Sequence, residues 1–116
     1  MPNTFPKGYR LLTQNEYSVV LRKNTIRIPE GSFLVLCHAN SHNHSRLGLA
    51  IAKKLLKKAS DRNRIKRLVR ESYRKKKDEL GAVDIVILGR HDIALKDNQQ
   101  IIMSLGKIWK RLQGKF

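Results

Sequence analysis

The apolar positions of the chain fall into segments with two different periods, separated by polar and turn-forming residues. Thr13, Gln14, Asn15 and Glu16 form a capping box that starts a helix. Leu12 and Tyr17 stand where a hydrophobic staple would, and Tyr17, Val20 and Leu21 share one face before Asn24 ends the helix. Thr25 to Ile28 is a short β-branched run, and Pro29, Glu30 and Gly31 read as the turn that leads into an antiparallel strand over Ser32 to Ala39. After the polar loop Asn40 to Ser45, Leu47, Leu49 and Ile51 alternate with Gly48, Ala50 and Ala52. This predicts a strand with one bulky face and one small face that leaves room for a helix or a ligand.

A long helix is predicted from Asp61 to about Leu80, with Ser60 or Asp61 as its cap and Gly81 as its stop. Val83 to Leu88 is apolar but for Asp84, as expected of a central strand. Ile101, Ile102, Leu105, Ile108, Trp109 and Leu112 then recur at helical spacing behind a cap at Asp97 or Asn98, giving a last helix that packs on the sheet by this stripe. The order α-β-β-β-α-β-α predicts a two-layer α/β sandwich, with a βαβ unit from Arg46 to Arg90. The general handedness rule would make that crossover right-handed.

Composition narrows the function. The chain has 116 residues, one domain's worth. Residues 1–9 are expected to be a flexible lead and 113–116 a tail. Apolar residues make up 41 %, enough for a core. Twenty-five Lys and Arg against nine Asp and Glu give a net charge of +16, which calls for a polyanionic partner. Thirteen of those basic residues, with only Asp61 and Glu71 opposing them, lie between Lys53 and Lys77. Such concentration is the footprint of a binding surface. The single Cys37 excludes an internal disulfide and fits a reducing compartment. Met1 to Arg10 has no apolar core of a secretory signal, and the apolar runs Phe33 to Cys37 and Ile85 to Leu88 are far shorter than a membrane span. A cytoplasmic protein without a membrane partner is expected.

On a helical wheel, Ile65, Leu68, Val69, Ser72 and Tyr73 form one arc of the long helix, and Asn63, Lys66, Arg67, Arg70, Arg74 and Lys77 form the opposite one. The first is a core face and the second a polyanion contact, since each cation set against a phosphate releases condensed counterions. Arginine outnumbers lysine in the first half of the helix, and its planar fork suits phosphate and bases, so RNA is favoured over a membrane. A major-groove DNA helix would come with a partner helix and turn, whereas strands flank this one.

Arg62-Asn63-Arg64-Ile65-Lys66-Arg67, with Arg70-Glu71 and Arg74, resembles the signature helix of the protein subunit of bacterial ribonuclease P. Arg46-Leu47-Gly48-Leu49 and Lys53-Lys54 resemble that family's preceding strand and its continuation, and Asp84 to Arg90 its following strand. The Arg10-Leu11 start and the helix containing Tyr17 extend the likeness to about Leu112. The resemblance implies a ribosomal protein S5 domain 2-like fold with an unusual left-handed crossover. It also implies the small basic partner of a catalytic RNA that removes the 5′ leader of precursor tRNA by hydrolysing one phosphodiester bond. Arg62, Asn63, Arg64, Lys66, Arg67, Arg70 and Arg74 are then expected against the catalytic RNA. Tyr17, Leu21, Phe33, Leu34 and Leu36, with Arg46, Lys53 and Lys54 nearby, are expected in a cleft for the single-stranded leader. Many relatives have an aromatic residue where Leu21 stands. Single strands bind on stacking platforms beside basic residues, which tolerates varied leaders.

Trp109 reads as a core aromatic on its stripe, and Tyr17 and Phe33 admit a core reading as well. His38, His42 and His44 lack a carboxylate or thiolate at ligand spacing, so no protein-held metal is expected. The acidic residues are scattered, which leaves no set of groups for acid–base hydrolysis. Chemistry is therefore assigned to the RNA and its Mg²⁺ ions, with no catalytic residue and no organic cofactor on this chain. The alternative is a ribosomal-type module that binds structured RNA without a catalytic role.

Overall fold

The structure is a computed structural model that describes residues 9, 10 and 13–116. Leu12 of the expected staple, Leu11 and the lead 1–8 lie outside the described residues. Three helices and four strands follow the predicted order: α1 (Gln14–Lys23), β1 (Ile26–Glu30), β2 (Phe33–Ala39), β3 (Arg46–Ala50), α2 (Ala59–Lys76), β4 (Val83–Gly89) and α3 (Asn98–Leu112). The sheet order is β1-β2-β4-β3. β2 is antiparallel to both β1 and β4, while β3 runs parallel to β4 and joins it through α2. The run Val83 to Leu88 is therefore interior to the sheet, apolar on both faces except at Asp84.

Local chemistry explains the boundaries. Both halves of the Thr13–Glu16 box are made, at 3.1 Å and 2.8 Å, and Asp97 with Gln100 repeats the device at the start of α3. Asn24 ends α1 in an extended conformation, its amide donating to the carbonyls of Val20 and Leu21. Three expectations are corrected. Pro29 and Glu30 belong to β1, whose place at the sheet edge tolerates a residue without an N–H, and the turn passes instead through Gly31, at a φ of 57°. Neither Ser60 nor Asp61 caps α2: the helix begins at Ala59, and the Lys58 carbonyl accepts from the N–H groups of Asp61 and Arg62, leaving Asp61 in the first turn, where its charge suits the helix dipole. At its far end α2 closes with a 3-10 turn over Lys77–Glu79 before Gly81.

Strand alternation divides the sheet into two faces. Phe33, Val35, Cys37, Leu47, Ile85 and Ile87 point towards α2 and α3 and form the main core with Ile65, Val69, Tyr73 and the α3 stripe. Ile102 is the exception on that stripe: it sits at its margin and is 49 % exposed. Trp109 Nε1 donates to Ser72 Oγ at 2.7 Å, and the Tyr73 hydroxyl meets Ser45 Oγ at 2.7 Å, so the two largest buried polar aromatics are satisfied. The expected tail 113–116 folds back, and Phe116 packs against this core. The opposite face carries a smaller cluster of Val20, Leu36 and Val86, covered by α1. Among the described residues no helix is long and apolar enough to cross a membrane.

Cys37 is fully buried, and burial pushes its thiol from 9.0 up to about 12. The folded protein should therefore resist iodoacetamide at pH 9, where an exposed thiol is half ionised, and should be alkylated at once in guanidinium; rapid labelling of the native protein would contradict the burial.

Candidate RNA-binding surface

The face of the sheet under α1 is built from three cross-strand rows. The register places Leu34, Leu88 and Ala50 in one row, Leu36, Val86 and Gly48 in the next, and His38, Asp84 and Arg46 in the third. α1 lies over the middle row. Its Tyr17 ring rests on Gly48, where a Cβ would come within 2.7 Å of the ring carbons, so only glycine permits this approach. The Tyr17 hydroxyl accepts from the Leu49 N–H at 3.0 Å and faces the Leu49 carbonyl at 3.4 Å. The small face predicted for β3 thus receives a helix side chain.

Arg46 fixes α1 at the polar row. Its Nε and Nη2 donate to the two oxygens of Asp84 at 2.8 Å and 2.7 Å, while Nη1 reaches Glu16 Oε2 at 2.6 Å. The Asp84 hydrogen bond, outweighing burial, raises the pKa of this guanidinium above its ordinary value. Arg46 lies on the cleft face as expected, but its donors are directed to two carboxylates. It ties α1 to β4 at the end of this face.

The other end of the face is less covered. Leu34, Leu88 and Ala50 are half-buried, and Leu21 on α1 is 44 % exposed. Lys53 and Lys54 are exposed in the turn that follows β3. Arg27, an exposed residue of β1 paired with Leu36, shares this face, as does Pro29 opposite Leu34. Arg27 was legible from its place between Ile26 and Ile28, which point the other way. Leu36 is buried beneath α1. Phe33 is a correction: it is fully buried in the α2–α3 core, because side chains at 33 and 34 necessarily leave a strand on opposite faces.

On α2 the signature residues divide by partner. Arg62 Nη1 donates to the carbonyls of Leu56 and Lys57 at 2.7 Å and 3.0 Å, bracing the loop before the helix. Arg64 donates to Asn98 Oδ1 and the Lys96 carbonyl, fastening α2 to the start of α3. Arg74 pairs with Glu71 at 3.1 Å, and the Arg74 hydrogen bond holds the exposed Glu71 carboxyl below its usual pKa. Asn63, Arg67 and Arg70 are exposed, Lys66 is half-exposed, and none of the four side chains has a hydrogen bond or ion pair to another described residue. Lys77, placed on this arc by the wheel, leaves it at the 3-10 turn, with its ammonium 4.8 Å from the centre of the Tyr9 ring. The described residues contain no group of three or more His, Cys, Asp or Glu able to hold a metal ion.

Comparison with known proteins agrees with this architecture. A family model described as Ribonuclease P matches residues 5–113. The ribonuclease P protein component of Marinobacter nauticus is 44 % identical over 97 % of this chain and 85 % of its own length. Among solved structures, the Staphylococcus aureus RNase P protein superposes with a TM-score of 0.83 at 30 % identity, covering 90 % of this chain and 95 % of that one. The Thermotoga maritima RNase P protein gives 0.76 at 28 % identity, covering 90 % and 98 %.

Two kinds of arginine substitution should separate in a urea titration. Arg46→Ala leaves the buried Asp84 without a counter-charge, holding only the Asn40 amide at 2.8 Å, and should lower stability by about 3 kcal/mol, whereas Arg67→Ala combined with Arg70→Ala should shift it by less than about 1 kcal/mol. Equal losses would refute the distinction. Phe33→Ala should cost about 3–5 kcal/mol, as expected of a core aromatic.

Proposed function

The chain belongs to the ribonuclease P protein family, and from that membership we propose that it binds the catalytic RNA through the outer face of α2 and holds the precursor tRNA leader on the face beneath α1. The observation that carries the first part is the set of outward cations without protein partners: Lys66, Arg67 and Arg70, with Asn63 among them. In a chain of net charge +16, cations left without carboxylates are held in a state of mutual repulsion that phosphates relieve. Arg62, Arg64 and Arg74 approach the same RNA, with their primary geometry set by the loop, α3 and Glu71.

The second part draws on the uneven cover of the α1 face. Tyr17, Leu21, Leu34 and Leu88 offer an apolar floor on which bases can lie without sequence readout, and Lys53, Lys54 and Arg27 stand at its margins for the backbone. The reaction is endonucleolytic hydrolysis of one phosphodiester bond, releasing the 5′ leader. The chemistry is supplied by the RNA and by Mg²⁺ held mainly through RNA phosphates. This chain neutralises backbone repulsion between two RNAs and aligns the leader with the cleavage point.

Cleavage of precursor tRNA by the cognate catalytic RNA at low Mg²⁺ tests this. The protein should rescue activity, and the rescue should grow with leader length; equal affinity for any structured RNA with no rescue would contradict it. Arg67→Ala with Arg70→Ala should make the plot of log K against log salt shallower by about 1 to 2 units. Leu21→Ala with Leu34→Ala should spare assembly but narrow the preference for precursor over mature tRNA.

A further inference from the structure

A groove of about 220 Å³ opens between α2 and α3 on the outer side of the helical layer. Its open apolar floor is Leu68 and Ile102, with the buried Trp109 directly beneath and Gly106 along it. Lys75 and Lys76 stand on the α2 wall, and Lys110 lies at the adjoining end of α3. The carboxylate on this wall, Glu71, is already paired with Arg74, and Lys76 is 3.7 Å from Glu79; Lys75 and Lys110 have no ion pair with a described residue.

Gly106 has no structural reason to be glycine. It sits inside α3, where glycine is the least favourable residue after proline. Among the described residues the glycines with positive φ are Gly31, Gly81 and Gly114, so Gly106 has an ordinary backbone conformation. A Cβ there would meet nothing within 4 Å. Neither close packing nor backbone geometry demands the missing side chain, and what its absence does is keep the groove open beside an exposed Ile102.

We propose that this groove receives one unpaired nucleotide of the catalytic RNA, its base on the apolar floor and its phosphates against Lys75, Lys76 and Lys110. The proposal rests on the reading that RNA lies along α2, and it adds a contact on the α3 side of that helix. Size and charge choose the occupant: the volume falls below the roughly 300 Å³ at which pockets for drug-sized ligands begin, which suits one flat heterocycle and not an amphipathic helix. A cationic rim around an apolar floor is the chemistry of a nucleotide.

The test compares binding of the catalytic RNA by the full chain, Gly106→Ala, Gly106→Leu and Arg67→Ala with Arg70→Ala, alongside the fluorescence of Trp109, the sole tryptophan. Gly106→Leu should fill the groove, weaken binding tenfold or more and abolish the quenching of Trp109 by RNA, whereas Gly106→Ala should stay within about threefold of the parent. Both should melt no lower than the parent, since either residue favours the helix. If Gly106→Leu fails to fold, Gly106→Glu, soluble and helix-compatible, should weaken binding by at least as much. Parent-like affinity and quenching in Gly106→Leu, with binding weakened in the arginine variant, would overturn the groove contact alone and leave the floor to an apolar protein segment. Parent-like affinity in the arginine variant would overturn the reading beneath it.

Discussion

Arg46 forks onto Asp84 of the neighbouring strand and gives its remaining nitrogen to Glu16 of α1, and this three-residue ion pair determines how far the first helix can cover the sheet. Glu16 is also the second half of the capping box, so the same carboxylate that starts the helix anchors it. Asp84 is only 5 % exposed and sits in the central strand, which makes the anchor point as rigid as anything in the molecule. With α1 held over the middle row and Tyr17 pressed onto Gly48, the row of Leu34, Leu88 and Ala50 is left partly open. The cleft is a consequence of that tether: a helix free to slide would bury those residues instead.

The other face of the sheet is treated differently. α2 and α3 close it with a continuous core, and this frees the outer side of α2 to carry charge on which that core does not depend. Being apolar on one side and cationic on the other, α2 carries the chain from core to charged surface over a single helical diameter. The molecule thereby keeps its two proposed RNA contacts on opposite sides of the sheet.

Much of this was legible in the residues. The Thr13–Glu16 capping box, a cap for α3 at Asp97 or Asn98, the central place of Val83 to Leu88, the small face of β3 and the two arcs of α2 follow from spacing alone. What stayed hidden were the destinations of long side chains. Arg46, Arg62 and Arg64 look like the other arginines in sequence, and only the folded chain brings Asp84, the Leu56 carbonyl and Asn98 within reach of their forks. Phe33 is a different case. Its parity with Val35 and Cys37 already set it opposite Leu34 and Leu36, and the resemblance to a known cleft obscured an alternation that was present in the sequence. Ile102 fits the apolar stripe by number but falls at its margin, where the 3.6-residue repeat carries it out towards solvent.

The separation of the two faces is tested most directly by hydroxyl-radical footprinting of the side chains, read by mass spectrometry, in the free protein, with the catalytic RNA, and with the precursor tRNA added. The account predicts that the catalytic RNA alone protects Lys66 and the neighbouring outer face of α2 and leaves Leu21 and Leu34 as reactive as in the free protein. Those two leucines become protected only when a leader-bearing substrate joins. Protection of both faces by the catalytic RNA alone, or of neither face in the full complex, would contradict it.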